Sequence, residues 1–160
     1  MTILIVVAIF ASLLGSILWV MPSKRDQERM KMRLLARKSQ LGVQLTYIEL
    51  PDRWDKSTTK VKATAYHKFR AKKLKNLVSD VCLYPFEVWK YESLEGNWYV
   101  NAPIELSESS RAILTNNLDN FKAIVITIDS VSVYWEERGG ESSVDDIKSL
   151  LEELEAIDFD

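Results

Sequence analysis

The stretch from Thr2 to Met21, TILIVVAIFASLLGSILWVM, holds twenty residues without a charge. A helix of that length reaches roughly 30 Å at 1.5 Å per residue, the thickness of a bilayer's hydrocarbon core. A cleaved signal peptide is the competing reading. It calls for a basic lead, a shorter apolar run and small residues before the cut. Here nothing basic precedes Thr2, and the run ends in Trp19, Val20, Met21 and Pro22. The sequence therefore predicts a retained single transmembrane helix over 2–21.

Orientation follows from the residues just after the span. Between Lys24 and Lys38 stand Lys24, Arg25, Arg29, Lys31, Arg33, Arg37 and Lys38 against only Asp26 and Glu28, in a chain whose net charge is -2. Bases flanking a span favour the cytoplasmic side. The N-terminus is expected outside and the rest of the chain cytoplasmic, on an inner membrane if the source is bacterial. Trp19 sits where an interfacial aromatic belongs, and Lys24 and Arg25 can extend to headgroups. Small residues at Ala8, Ser12 and Ser16, with Ala11 and Gly15 beside them, mark a stripe where another helix can pack closely.

Residues 22–42 read as a basic juxtamembrane helix. Ser23 is a good N-cap after Pro22, Met30, Leu34 and Leu41 with Leu35 form an apolar stripe, and Gly42 suits the position past the C-terminus. Arg29, Arg33 and Arg37 are expected to lie toward anionic lipid.

The remainder, 43–160, carries nearly all the large aromatic residues and reads as one α+β cytoplasmic domain with a mostly antiparallel sheet. Residues 43–50 alternate as a strand ending at Pro51. Residues 60–72 alternate more strongly: Val61, Ala63, Ala65, His67 and Phe69 on an inward face, and Lys60, Lys62, Thr64, Tyr66, Lys68, Arg70 and Lys72 on an outward cationic one. Lys60, Lys62, Tyr66, Lys68 and Arg70 are the candidate partner face. Leu74, Leu77, Val78 and Val81 have helical spacing. The second half of 82–91 is expected to be a strand near the core. Ser107 reads as an N-cap, residues 123–135 as a hairpin at Asp129–Ser130 or a bent strand, and Ser143 with Asp146 as a capping box. The last helix sets Val144, Ile147, Leu150, Leu151, Leu154 and Ile157 on one face, with acidic residues on the other.

No motif in the sequence identifies a reaction, and the plentiful carboxylates cluster on the last helix with no pair standing out. His67 is the single histidine and Cys82 the single cysteine. Zinc arrangements of Cys and His therefore fail, and no internal disulfide can form. No phosphate-binding or nucleophile-elbow motif occurs. No cofactor, metal or catalytic residue is assigned. The reading is a single-pass, membrane-anchored interaction or scaffold protein, an accessory subunit of a membrane complex. Its expected partners are membrane lipid and a membrane protein or further copies of itself; nucleic acid is disfavoured by the slightly negative net charge. The alternative is a membrane-tethered enzyme using carboxylates or the His67 and Cys82 region.

Overall fold

The computed structural model describes residues 1–160 except Asn76, Glu95 and Asp160, and the side chain of Leu18. In chain order the elements are α1 (Thr2–Val20), α2 (Lys24–Lys38), β1 (Gly42–Pro51), β2 (Thr58–Phe69), β3 (Val81–Tyr84), β4 (Glu92–Leu94), β5 (Trp98–Val100), α3 (Glu108–Asn116), β6 (Phe121–Ile126), β7 (Ser130–Trp135) and α4 (Ser142–Ala156). The architecture is α+β. The seven strands form one sheet of order β1-β2-β7-β6-β3-β5-β4, antiparallel at every pairing.

Local chemistry sets the turns and caps. The Ser23 hydroxyl accepts the Asp26 N–H at 3.2 Å and opens α2, and Ser107 does the same for α3 through the Ser110 N–H. Between β6 and β7 the Thr127 hydroxyl accepts the Ser130 N–H at 3.0 Å, so residues 123–135 form a hairpin. Gly42 pairs with His67 across β1 and β2, and the imidazole lies over it: a Cβ there would stand 2.1 Å from Nε2. Ser143 caps nothing. It is buried in the first turn of α4, which begins after Glu141 without a side-chain cap.

The main core lies between the sheet and α2, α3 and α4. Val144, Ile147, Leu150, Leu151 and Leu154 of α4 are fully buried against it, as are Trp98, Phe121, Trp135 and Tyr66 from the strands. Their helical spacing places one continuous apolar stripe on β7 and β2. On the opposite face a smaller cluster joins Ile48, Ala63, Tyr84, Val88 and Ala123.

Three local expectations differ from the structure. The alternation of 60–72 is real, but Thr64 and Tyr66 point into the main core while Ala63 and Ala65 are buried on the other side. Only the middle of β2, residues 63–66, is covered on both faces; its first residues and Phe69 are exposed. Among the described residues of 74–81 no helix is present: Leu74 is buried and its N–H donates to the Ile128 carbonyl, whereas Val78 is fully exposed. In 82–91 the strand is the first half, β3; Pro85 lacks a donor for the ladder, and the rest loops across the sheet with Val88 buried.

Among the described residues no helix is long and apolar enough to cross a membrane.

Candidate functional site

The candidate site lies at the seam between α2 and the sheet. Met32 and Ala36 of α2 are 2% and 0% exposed, so this helix belongs to the domain core. Arg33 lies between them in sequence and turns inward as well. Its Nε and Nη2 donate to the two carboxylate oxygens of Glu137 at 2.7 and 2.5 Å. The same carboxylate accepts the Thr64 hydroxyl at 3.0 Å and the Tyr66 hydroxyl at 3.2 Å. Glu137 is 4% exposed and adopts a positive φ of 56°. That backbone state costs about 1–2 kcal/mol for a residue with a Cβ; it aims the carboxylate at four donors, which offsets the cost. The hydrogen bond to Glu137, opposed by partial burial, raises the Arg33 pKa. Burial first, then the Glu137 charge, pushes the Tyr66 hydroxyl up, so it remains a donor.

The outer side of α2 is different. Met30 and Leu34 are 61% and 57% exposed, with Lys31 and Arg37 beside them. On β1, an edge strand of the sheet, Leu45 and Tyr47 are 59% and 60% exposed. Lys60 stands over the Tyr47 ring, its Nζ 5.5 Å from the centroid. Basic and apolar groups thus alternate over one edge of the molecule.

The residues singled out by sequence divide accordingly. Lys24, Arg25 and Arg37 are exposed on α2, Trp19 is 91% exposed at the end of α1, Arg29 is half-buried and Arg33 is committed to Glu137. Ala8, Ala11, Ser12, Gly15 and Ser16 are all exposed along α1, where the Ser16 hydroxyl donates to the Ser12 carbonyl. Lys60 and Lys62 are exposed, but Tyr66 is buried. Lys68 pairs with Glu155 of α4 at 2.8 Å. Arg70 donates to the Leu154, Glu155 and Ile157 carbonyls at 2.9, 2.6 and 3.0 Å, closing the C-terminus of α4. The chain's own last helix takes up these two bases.

His67 and Cys82 do not meet. They share a cross-strand row through Ser132 and Val125, on strands three spacings apart, or about 14 Å at the usual 4.8 Å per spacing. His67 packs edge-on against Phe69. Burial, partly opposed by a Tyr84 hydrogen bond, raises the Cys82 thiol pKa, the reverse of an activated nucleophile. Among the described residues no three His, Cys, Asp or Glu gather where they could hold a metal ion.

Sequence reasoning missed Glu137 and Trp135. Both lie in YWEERGG, where nothing marks one glutamate over its neighbour. Arg33 is 104 residues away in sequence, so only the tertiary fold reveals the pairing.

No family model and no curated protein matches the chain. Among solved structures there is a distant resemblance to the crystal structure of the mycobacterial trehalose monomycolate transport factor A, TtfA. Its TM-score is 0.38 and identity 10%, covering 78% of this chain and 94% of that one. A likeness of that size assigns no role.

Proposed function

We propose that the chain is a single-pass membrane protein, held by residues 2–21 with its domain on the cytoplasmic side, and that it works without catalysis as an accessory or scaffold subunit of a membrane complex. The observation that carries this reading is α1: every described side chain on it is exposed, including Leu4, Ile9, Phe10 and Leu14. An apolar surface of this extent calls for lipid or another protein around it. The small-residue stripe from Ala8 to Ser16 supplies a surface for a second helix. Lys24, Arg25 and Arg37 face the headgroups, and the exposed edge formed by Leu45, Tyr47, Lys60 and Lys62 faces the partner.

The test joins extraction with topology. Alkaline carbonate should leave the full chain in the membrane pellet, and a reporter fused after Asp160 should be active only in the cytoplasm. Release into the supernatant removes the anchor. Activity on the outer side reverses the orientation.

A further inference from the structure

Beside α2, over the middle of β2 and the end of β7, a cavity of about 280 Å³ opens, lined by Arg29 and Arg33 of α2, Lys62 and Thr64 of β2, Lys122 of β6, and Trp135 with the two glutamates after it. Glu137 is occupied by Arg33, Thr64 and Tyr66. Glu136 accepts from Lys122 at 2.7 Å and is also paired with Arg138. Among the described residues Arg29 reaches only Asp26, at 4.0 Å, and Lys62 is exposed on the cavity rim. The lining is thus left with a positive surplus at Arg29 and Lys62.

Two buried donors on this lining have no acceptor among the described residues: the Trp135 indole Nε1 and Arg29 Nε. Trp135 is 0% exposed. The other fully buried tryptophan, Trp98, donates its Nε1–H to the Leu114 carbonyl at 2.9 Å, as buried indoles usually do. A buried N–H without an acceptor forfeits the hydrogen bond it had in water, so a pair of them on residues lining one positively charged cavity points to a ligand rich in acceptors.

We propose that this cavity binds a phosphate-type oxyanion carried on a larger molecule. A phosphoryl group offers enough oxygens for the Trp135 N–H, the Arg29 guanidinium and the Lys62 ammonium together, and Arg and Lys are its usual partners. Leu45 adds an apolar wall for the substituent. The source is either a phospholipid headgroup or a soluble phosphate ester. The lipid source rests on the anchoring proposed above: Arg29 lies six residues past Ser23, roughly 9 Å along α2 at 1.5 Å per residue. The soluble source does not depend on anchoring.

The full chain in neutral detergent micelles provides the test, with thermal melting as readout. The probes are inorganic phosphate, micelles doped with phosphatidylglycerol, micelles doped with phosphatidylcholine, and sodium chloride at matched ionic strength. Phosphate, phosphatidylglycerol or both should raise the melting temperature beyond the chloride and phosphatidylcholine controls. Arg29→Gln and Lys62→Gln should each weaken that binding by about tenfold or more, one charge-assisted contact being worth at least about 1.4 kcal/mol. Trp135→Phe keeps a ring in the core and removes the N–H, and should weaken it too; if that variant does not fold, the other two decide. A response to phosphatidylglycerol alone identifies a headgroup, and a response to phosphate identifies a soluble ester. No specific shift with either anion overturns the proposal, as does a shift that Arg29→Gln and Lys62→Gln leave intact. Failed carbonate retention with a surviving phosphate response removes the lipid source and leaves the site standing.

Discussion

Glu137 joins segments far apart in the chain through a single buried carboxylate. It ties α2 to β2 through three partners, and its own side chain is 2% exposed while that of Arg33 is 26% exposed. Arg33→Met would strand a buried carboxylate. The pair lies between the exposed and fully buried cases, so a loss of about 2–4 kcal/mol is expected, read by urea unfolding of the full chain in micelles. A loss under half a kilocalorie would mean that Thr64 and Tyr66 suffice. Glu155 offers a second test at this scale. The Lys68 hydrogen bond, opposed by some burial and helped by the Ala71 N–H, lowers its pKa below the ordinary 4.5. A carboxylate with a depressed folded pKa contributes stability that is present above its unfolded value and lost as pH falls through the folded one. Melting temperature should therefore drop below about pH 4.5, and Glu155→Gln should flatten that part of the profile. Identical acid limbs in the two proteins would remove Glu155 from the account. Neither residue's role was legible in the sequence, because each partner lies far along the chain and surface carboxylates look alike.

At the scale of elements, legibility followed periodicity. From Val144 to Leu154 the stripe of α4 stands in the sequence as it stands in the core, since an amphipathic helix with one packed face writes its contacts at three- and four-residue intervals, whereas Ile157 lies past the helix end and is only half-buried. Leu151→Ala should cost about 2–5 kcal/mol and visibly lower the melting temperature; no change would make this stripe a surface. In β2 the alternation was legible but its sense was not. Lys68 and Arg70 look like solvent-facing bases until α4 brings Glu155 and three backbone carbonyls to them. Charge on a strand says water only when nothing charged is folded above it. The apolar spacing of 74–81 misled for another reason: Leu74 and Val81 are both buried, but the intervening Val78 is not, so the pattern belongs to a loop anchored at its two ends.

At the scale of the whole molecule, the packed domain begins with α2, after Met21–Ser23, rather than at β1. Met32, Ala36 and Arg33 make α2 an integral part of the core. A fragment beginning at Ser23 should unfold cooperatively. One beginning at Gly42 should melt at least several degrees lower or aggregate, because it uncovers the groove under Met32 and strips Glu137 of its cation. Equal melting of the two fragments would show that α2 is dispensable. Mechanically, this arrangement leaves three residues as the only joint between the first helix and everything after it. A joint this short gives the domain almost no reach, and it is tied to α2 by the Gln27 side chain, which donates to the Pro22 carbonyl at 3.0 Å, and by the Ser23 cap. Whatever the domain engages must come to it, at a height above the first helix set by the length of α2.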